Sequence, residues 1–461
     1  MLRLLLAVSL TVASLFASGP VYVVLWFDTE DYIEPAADDA ALRIATDLEK
    51  LGVRATFKVV GEKARVLDSR GRTDVIRALS RHDIGYHSNF HSIQPTPALY
   101  LEGMNWLDGA AEFERRERVG VDDIRRIFGV LPSCYGQPGS SWAPQTFRAL
   151  LRLGIPVYLD EGEHVGIDDQ PFWFGGMLNV FKMGRYQIRA SLDDEAQLAK
   201  AFDTFDRAAA ELENKGGGAI SIYYHPTEFV TTAFWDLNFA KGANPERSAW
   251  KKPPRRTAEE SERCYRILTR YVEHMKGRSS VRFVTARELP LLYAGQATPG
   301  VDRAAIASHM AARQTFLVTE RGALSAAEMT QILLGMDPAF VEGPTERGET
   351  SLQAGVISRV AFERAKADAV AAIRVQRRLP SEVWIGSEKL SLADFAATLA
   401  ADDGTGAEVA VRKGNLEMEK CVSTDAQGAF RWPIHPEGFK APHLLELARL
   451  QAWTLKPARL K

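Results

Sequence analysis

Residues 21 to 31 read VYVVLWFDTED: seven apolar residues without a break, then acids at 28, 30 and 31. A strand that is apolar at every position, rather than at alternate ones, is buried on both faces. Parallel strands covered by helices are built that way. The pattern recurs along the chain. VRATFKVVG (53–61), DIGYH (83–87), PSCYG (132–136), IPVYLD (155–160), MLNVFKM (177–183), AISIYYH (219–225) and VRFVTA (281–286) read as further strands. Helical patterns lie between them: ATDLEKLG (45–52), closing on a glycine, DVIRALSRH (74–82), a long segment to about Phe128, PQTFRALLRLG (144–154), and segments near 193–214 and 257–277. Repeated β-then-α of this kind predicts the α/β class, and the number of units from 20 to 298 suits a (β/α) barrel.

Outside that region the character changes. Residues 1–19, MLRLLLAVSLTVASLFASG, carry Arg3, a short apolar stretch and small residues at the end, the pattern of an export signal. The expected location is therefore secreted, periplasmic or in the cell envelope, with no stable membrane insertion beyond that segment. Residues 299–461 are alanine-rich and predict a mainly helical accessory domain. LSAAEMTQILLG (324–335) and LSLADFAATLAA (390–401) share a pattern that suggests a repeat.

Bulk composition narrows the function. The 461 residues are 46% hydrophobic and 25% charged, with a formal net charge of −2. That balance gives no global attraction to nucleic acid. The one basic cluster, Lys251, Lys252, Arg255 and Arg256, is interrupted by two prolines and reads as a solvated loop. The 3 cysteines stand far apart, at 134, 264 and 421, which excludes a disulfide framework and a cysteine-built zinc site.

The polar residues at the strand ends carry the chemistry. In a (β/α) barrel the carboxyl ends of the strands surround one mouth, so distant chain positions converge there. Asp28, Glu30 and Asp31 follow the first strand, His87 and His91 the third, GQPG (136–139) the next, Asp160 the next, and His225 ends AISIYYH. HDIGYHSNFHS (82–92) alone holds 3 of the chain's 9 histidines. Two imidazoles and a carboxylate form a frequent three-ligand set for a catalytic divalent ion. Further carboxylates nearby supply a base, and another histidine an acid. Taken singly, each residue has a plainer reading: a hydrogen-bonded core histidine, a helix cap, a turn. His82, which precedes its strand, takes the plain reading, and so do His164, His274, His309, His435 and His443.

These motifs resemble those of the polysaccharide deacetylases, the carbohydrate esterase group with the NodB homology domain. The resemblance covers roughly residues 20 to 295 and implies a distorted (β/α) barrel of the glycoside hydrolase and deacetylase type. RHDIGYHSNFH resembles the family's histidine–serine motif, which implies metal ligation by His87 and His91. FDTED resembles the motif that supplies the base, Asp28, and a carboxylate ligand, Glu30 or Asp31. IYYHP implies that His225 is the general acid. Asp160 matches the aspartate of the surrounding charge network. CYGQPGSSW resembles the motif that lines one wall and offers a backbone N–H to the oxyanion, which implies the N–H of Tyr135 or a neighbour as that donor and Pro138 and Trp142 as further substrate or oxyanion contacts. That motif normally begins with arginine. Gly136 stands in its place, so the base is expected to lack its usual charged partner. The activity implied is metal-dependent hydrolysis of N-acetyl or O-acetyl groups on a cell-wall or other polysaccharide, with zinc as the most favoured ion and an acetylated glycan as partner. The rival readings are a catalytically impaired glycan-binding protein on the same fold and a hydrolase of non-sugar amides.

Overall fold

A computed structural model describes residues 19–294, 301–320 and 322–461. The signal expected at 1–19 lies outside the described residues up to position 18, and so does the point where an accessory domain was expected to begin.

The chain is a mixed α/β protein around one curled, mainly parallel sheet. Its strands are β1 (Val21–Thr29), β2 (Thr56–Val59), β3 (Asp83–Tyr86), β4 (Cys134–Tyr135), β5 (Val157–Leu159), β6 (Phe172–Phe174), β7 (Met177–Val180), β8 (Gly218–Tyr224) and β9 (Val281–Val284). The order across the sheet is β6-β7-β5-β4-β3-β2-β1-β8, with β9 also against β1. Every pair is parallel except β6 with β7. The gap between the β6–β7 hairpin and β8 is bridged by Gln187 to Ser221 and by the Gln170 side chain to the backbone of Ala219, so the sheet curls into a distorted barrel. β1 is paired along both edges, with β8 and with β2 and β9, as its unbroken apolar run requires. Val23, Val24, Leu25, Trp26 and Phe27 are wholly buried. Each such side chain contributes roughly 1.5–3 kcal/mol. β6 and β7 form an antiparallel hairpin between Asp160 and His225, and the hairpin accounts for the long gap between them.

The expected division at 299 is corrected by the packing. A separate core does exist, running from Ile306 to Val409 and taking in Trp453. It contains two helix–hairpin–helix units. In the first, Arg303–Ala312 leads through Leu317–Thr319 and Gly322–Leu324 to Ala326–Leu333. In the second, Arg359–Gln376 leads through Glu382–Ile385 and Glu388–Ser391 to Leu392–Ala401. Ser325 and Ser391 cap the final helix of each unit. The chain beyond this module returns to the barrel. Met418, Val422, Ala429, Phe430, Ala441, Leu444, Leu445 and Leu455 join the main core. Lys456–Pro457 pairs antiparallel with β6. Residues 299–461 are therefore not one accessory domain: a module is inserted, and the last stretch completes the barrel.

Candidate active site

Asp28, Lys58, His87, Asp160 and His225 sit at or beyond the carboxyl ends of β1, β2, β3, β5 and β8, around one mouth. The cavity there has a volume of about 610 Å³. Asp28, Glu30, His87, His91, Asp160 and His225 all line it.

The turn after β3 is built to aim two imidazoles. Ser88 and His91 both adopt left-handed backbone, with φ of 62° and 58°. Non-glycine residues take this conformation rarely, and it persists where the surroundings hold it. Here Ser88 Oγ accepts the His91 N–H at 3.0 Å, and Glu117 accepts the Asn89 N–H at 2.8 Å. The amides of Gly61 and Glu62, at the start of the helix Gly61–Ser69, bond the carbonyls of Ser88 and Asn89. The spacing of four between His87 and His91 thus reflects a pinned loop, not a helix face.

Glu30 meets both rings. Its Oε2 lies 2.9 Å from His91 Nε2 and 3.5 Å from His87 Nε2, and its Oε1 accepts the Trp235 indole N–H at 3.2 Å. The other ring nitrogens are engaged elsewhere: His87 Nδ1 with the Gly136 carbonyl at 3.0 Å, His91 Nδ1 with Ser92 Oγ at 2.7 Å. Partners of this kind fix the ring orientation of metal-binding histidines. One donor atom from each of Glu30, His87 and His91 falls within 4.8 Å of the others. Burial and the neighbouring Lys58 ammonium lower the pKa of His87, which favours the neutral, ligating ring. Burial also opposes charge on His91, but Glu30 outweighs it and raises the pKa. Glu30, despite its burial, is held well below the usual carboxylate range by His91, His225 and its bond to His87. A proton held between His91 and Glu30 is what a bound cation would displace. The donor set therefore fits a divalent ion.

Asp31, the competing ligand, turns away. Its Oδ1 accepts the amides of Ile33 and Glu34 at 3.0 and 2.9 Å, and its Oδ2 accepts Thr227 Oγ1 at 2.9 Å. It ties the β1 loop to the segment after β8 and belongs to neither compact group of donor atoms among the described residues.

The expectation that the base lacks a charged partner is overturned by Lys58. This lysine is wholly buried in β2. Its Nζ lies 2.9 Å from Asp28 Oδ1 and 2.5 Å from Asp160 Oδ2, over the face of Trp26 at 4.0 Å. A Cβ at position 136 would stand 2.1 Å from both Lys58 Nζ and Asp160 Oδ2. Glycine at 136 is what leaves room for the ammonium, which reaches the carboxylates from β2 instead of β4. Burial opposes charge on Lys58, yet the two carboxylates outweigh it and raise its pKa. Asp160 is pushed up to about 7, by burial first and by Asp28, against the pull of Lys58. A second donor grouping, Asp28, His87 and Asp160, is geometrically compact. The Lys58 ammonium already occupies both of its carboxylates, so Glu30, His87 and His91 remain the set suited to a cation.

His225 completes the ring of groups. Its Nε2 lies 3.7 Å from Asp28 Oδ2 and its Nδ1 3.6 Å from Glu228 Oε1. Burial disfavours its charged form, but Glu228, Glu30 and Asp28 raise its pKa to about 9. Arg189 holds Glu228 in turn, at 2.8 and 2.9 Å.

Three expected contacts are corrected. Tyr135 and Trp142 are buried in the core, Tyr135 among Tyr86, Phe113 and Tyr158, Trp142 against Phe147, His164 and Phe174. Pro138 is buried beside them and does not line the cavity. Gln137, Gly139 and Ser140 line it instead. His82 is a core histidine, bonded to Ala55 N–H and Ala45 O. Sequence reasoning missed Lys58, whose signal was a charge inside an apolar strand, and Trp235, Asp236 and Glu228, which follow His225 closely in the chain. It also missed residues 428–434, which carried no signal.

No family model matches the chain, and no curated protein sequence matches it. Solved structures do align with part of the chain. A putative polysaccharide deacetylase from Mycobacterium smegmatis is 17% identical, with 59% of this chain and 89% of that one covered and a TM-score of 0.36. A probable polysaccharide deacetylase from Pseudomonas aeruginosa PAO1 is 13% identical, with 58% and 89% covered and a TM-score of 0.38. Puue allantoinase is 13% identical, with 57% and 87% covered and a TM-score of 0.38.

Proposed function

We propose that the chain is an exported metal-dependent deacetylase that hydrolyses N-acetyl or O-acetyl groups of a cell-wall or other polysaccharide. The observation that carries this reading is the meeting of Glu30, His87 and His91 in one buried set, flanked by Asp28 and His225. The motifs' resemblance to the polysaccharide deacetylases supports it.

Glu30, His87 and His91 would hold the ion, zinc being favoured by the mixed nitrogen and oxygen donors. When bound, a divalent ion supplies Lewis acidity that polarises an acyl carbonyl and makes water a better nucleophile. The chain's own groups do the rest. Asp28, paired with Lys58 through Oδ1, accepts a proton from the attacking water at Oδ2, the oxygen facing His225. Asp160 shares the ammonium and fixes its place. His225, kept protonated by Glu228, which Arg189 holds in place, donates from Nε2 to the departing nitrogen or oxygen. The acetyl C–N or C–O bond breaks and water's oxygen ends in acetate. The donated proton ends on the amine or alcohol. Trp235 and Ser92 hold the ligand side chains in orientation.

Acetate release from N- and O-acetylated oligosaccharides, with and without a chelator, tests the reading. Release that a chelator abolishes and added zinc restores is expected. Turnover of simple amides with none on acetylated sugars would replace it with the amide-hydrolase alternative.

A further inference from the structure

One wall of the catalytic cavity is not made by the barrel's strand-end loops. Gly428, Ala429 and residues 431–434, from the returning C-terminal stretch, line it. This segment is fastened to three separate parts of the rim. After β3, the Gln94 amide bonds the Ile434 carbonyl at 3.1 Å. After β8, the amides of Lys241 and Gly242 bond the carbonyls of Pro433 and Ile434 at 2.7 and 2.9 Å. After β4, the Trp432 indole lies directly on Gly139, where a Cβ would come within 2.3 Å of the ring. The same indole stands edge-on to the ligand histidine His91, with centroids 5.5 Å apart. Ile434 is buried among Tyr32, Val60, Trp235 and Phe239.

The other side is different. Phe234, edge-on to His225 at 4.9 Å, lines both the catalytic cavity and a second one of about 530 Å³. That second cavity continues along Arg189, Leu192, Lys200, Thr232 and Arg256. Each volume falls in the range of sites that enclose a small organic ligand.

We infer that the 428–434 segment closes one end of the substrate cleft, with Trp432 as its end wall, so that the enzyme acts on the terminal residue of an acetylated glycan and not on internal residues. An internal residue must send chain in two directions from the reacting acetyl group. Here the direction past Trp432 meets a segment hydrogen-bonded across the rim, whereas the Phe234 side opens into the second cavity, which has room for the next sugars. The indole face offers the terminal ring a stacking surface. This inference rests on the deacetylase reading.

The test uses the full chain loaded with zinc. Its substrates are N-acetylglucosamine oligomers and O-acetylated xylan fragments, each beside its long parent polymer. Acetate release per unit mass should rise in proportion to chain ends as the polymer is shortened, and product mapping should find the modified sugar at one end. Trp432→Ala should raise the rate on internal residues relative to terminal ones at least tenfold, with a higher KM on short oligomers. Gly139→Ala, which displaces the indole, should move the ratio the same way. Internal residues deacetylated by the unaltered protein as fast as terminal ones would overturn the end-wall inference alone. No acetate from either ladder would overturn the deacetylase reading and this inference together.

Discussion

Replacing Lys58 by methionine keeps the volume of the side chain and removes the one charge that Asp28 and Asp160 share. Both carboxylates are nearly inaccessible to water, at 4% and 6% exposure, so solvent cannot substitute for the ammonium. Breaking a buried ion pair by removing one partner costs about 3–5 kcal/mol. The expected loss in Lys58→Met lies in that range at pH 8. It is smaller in acid, because Asp160 can escape by taking a proton. Its pKa, already raised to about 7, rises further once the ammonium is gone. A carboxyl whose folded pKa is raised carries no penalty below its unfolded pKa and the full penalty above the folded one. The variant's deficit should therefore grow as pH rises from about 4 through and beyond 7. Asp160→Asn in the same chain should recover much of the stability at pH 8. Activity should fall at least 100-fold in the single variant while metal content stays near that of the unaltered protein, since the ligands are untouched. The assays are denaturant unfolding at pH 5, 6.5 and 8, acetate release, and metal analysis. A variant as stable as the parent at pH 8, with unchanged turnover, would refute the role given to Lys58.

Gly136→Ala should reproduce the Lys58→Met phenotype without removing any charge, because its Cβ occupies the position of the ammonium; unfolding and acetate release at pH 8 read this. Turnover should need protonated His225 and decline as pH rises towards about 9. A bound cation offsets Glu30 and brings that limb lower, and a pH profile against His225→Asn measures it. Stability follows the same sign: the raised imidazole pKa contributes fully below about 6.5 and is lost through about 9. Asp31→Asn should lower stability by about 1–3 kcal/mol through its buried hydrogen bonds and leave metal content unchanged, which denaturation with metal analysis separates from a ligand role.

The barrel was legible because β1 and its successors are apolar at every position, a pattern only doubly covered strands require. The mouth was legible because polar residues begin where those strands stop. What escaped has physical reasons. Lys58 sits in ATFKVVG, where a single cation in an apolar run has no local meaning until Gly136, distant in sequence, is seen to vacate the same space. Glu30 and Asp31 are adjacent acids. Only the direction each takes, one to the imidazoles and the other to the amides of Ile33 and Glu34, separates them. Tyr135 and Trp142 are expected at the wall because CYGQPGSSW resembles a wall-lining motif, but aromatic surface of that size is better buried between the sheet and its helices. The return of the chain after the helical module depends on long-range contacts, such as Lys456–Pro457 against β6, that no periodicity announces.

The account rests on a divalent ion at Glu30, His87 and His91. Metal analysis of the purified protein beside His87→Ala, His91→Ala and Glu30→Ala, after equal exposure to zinc, tests this most directly. One equivalent per chain in the parent and less than about a tenth in each variant, with folding preserved by circular dichroism, is the predicted result. Equal metal in parent and variants, or none in any of them, would contradict it.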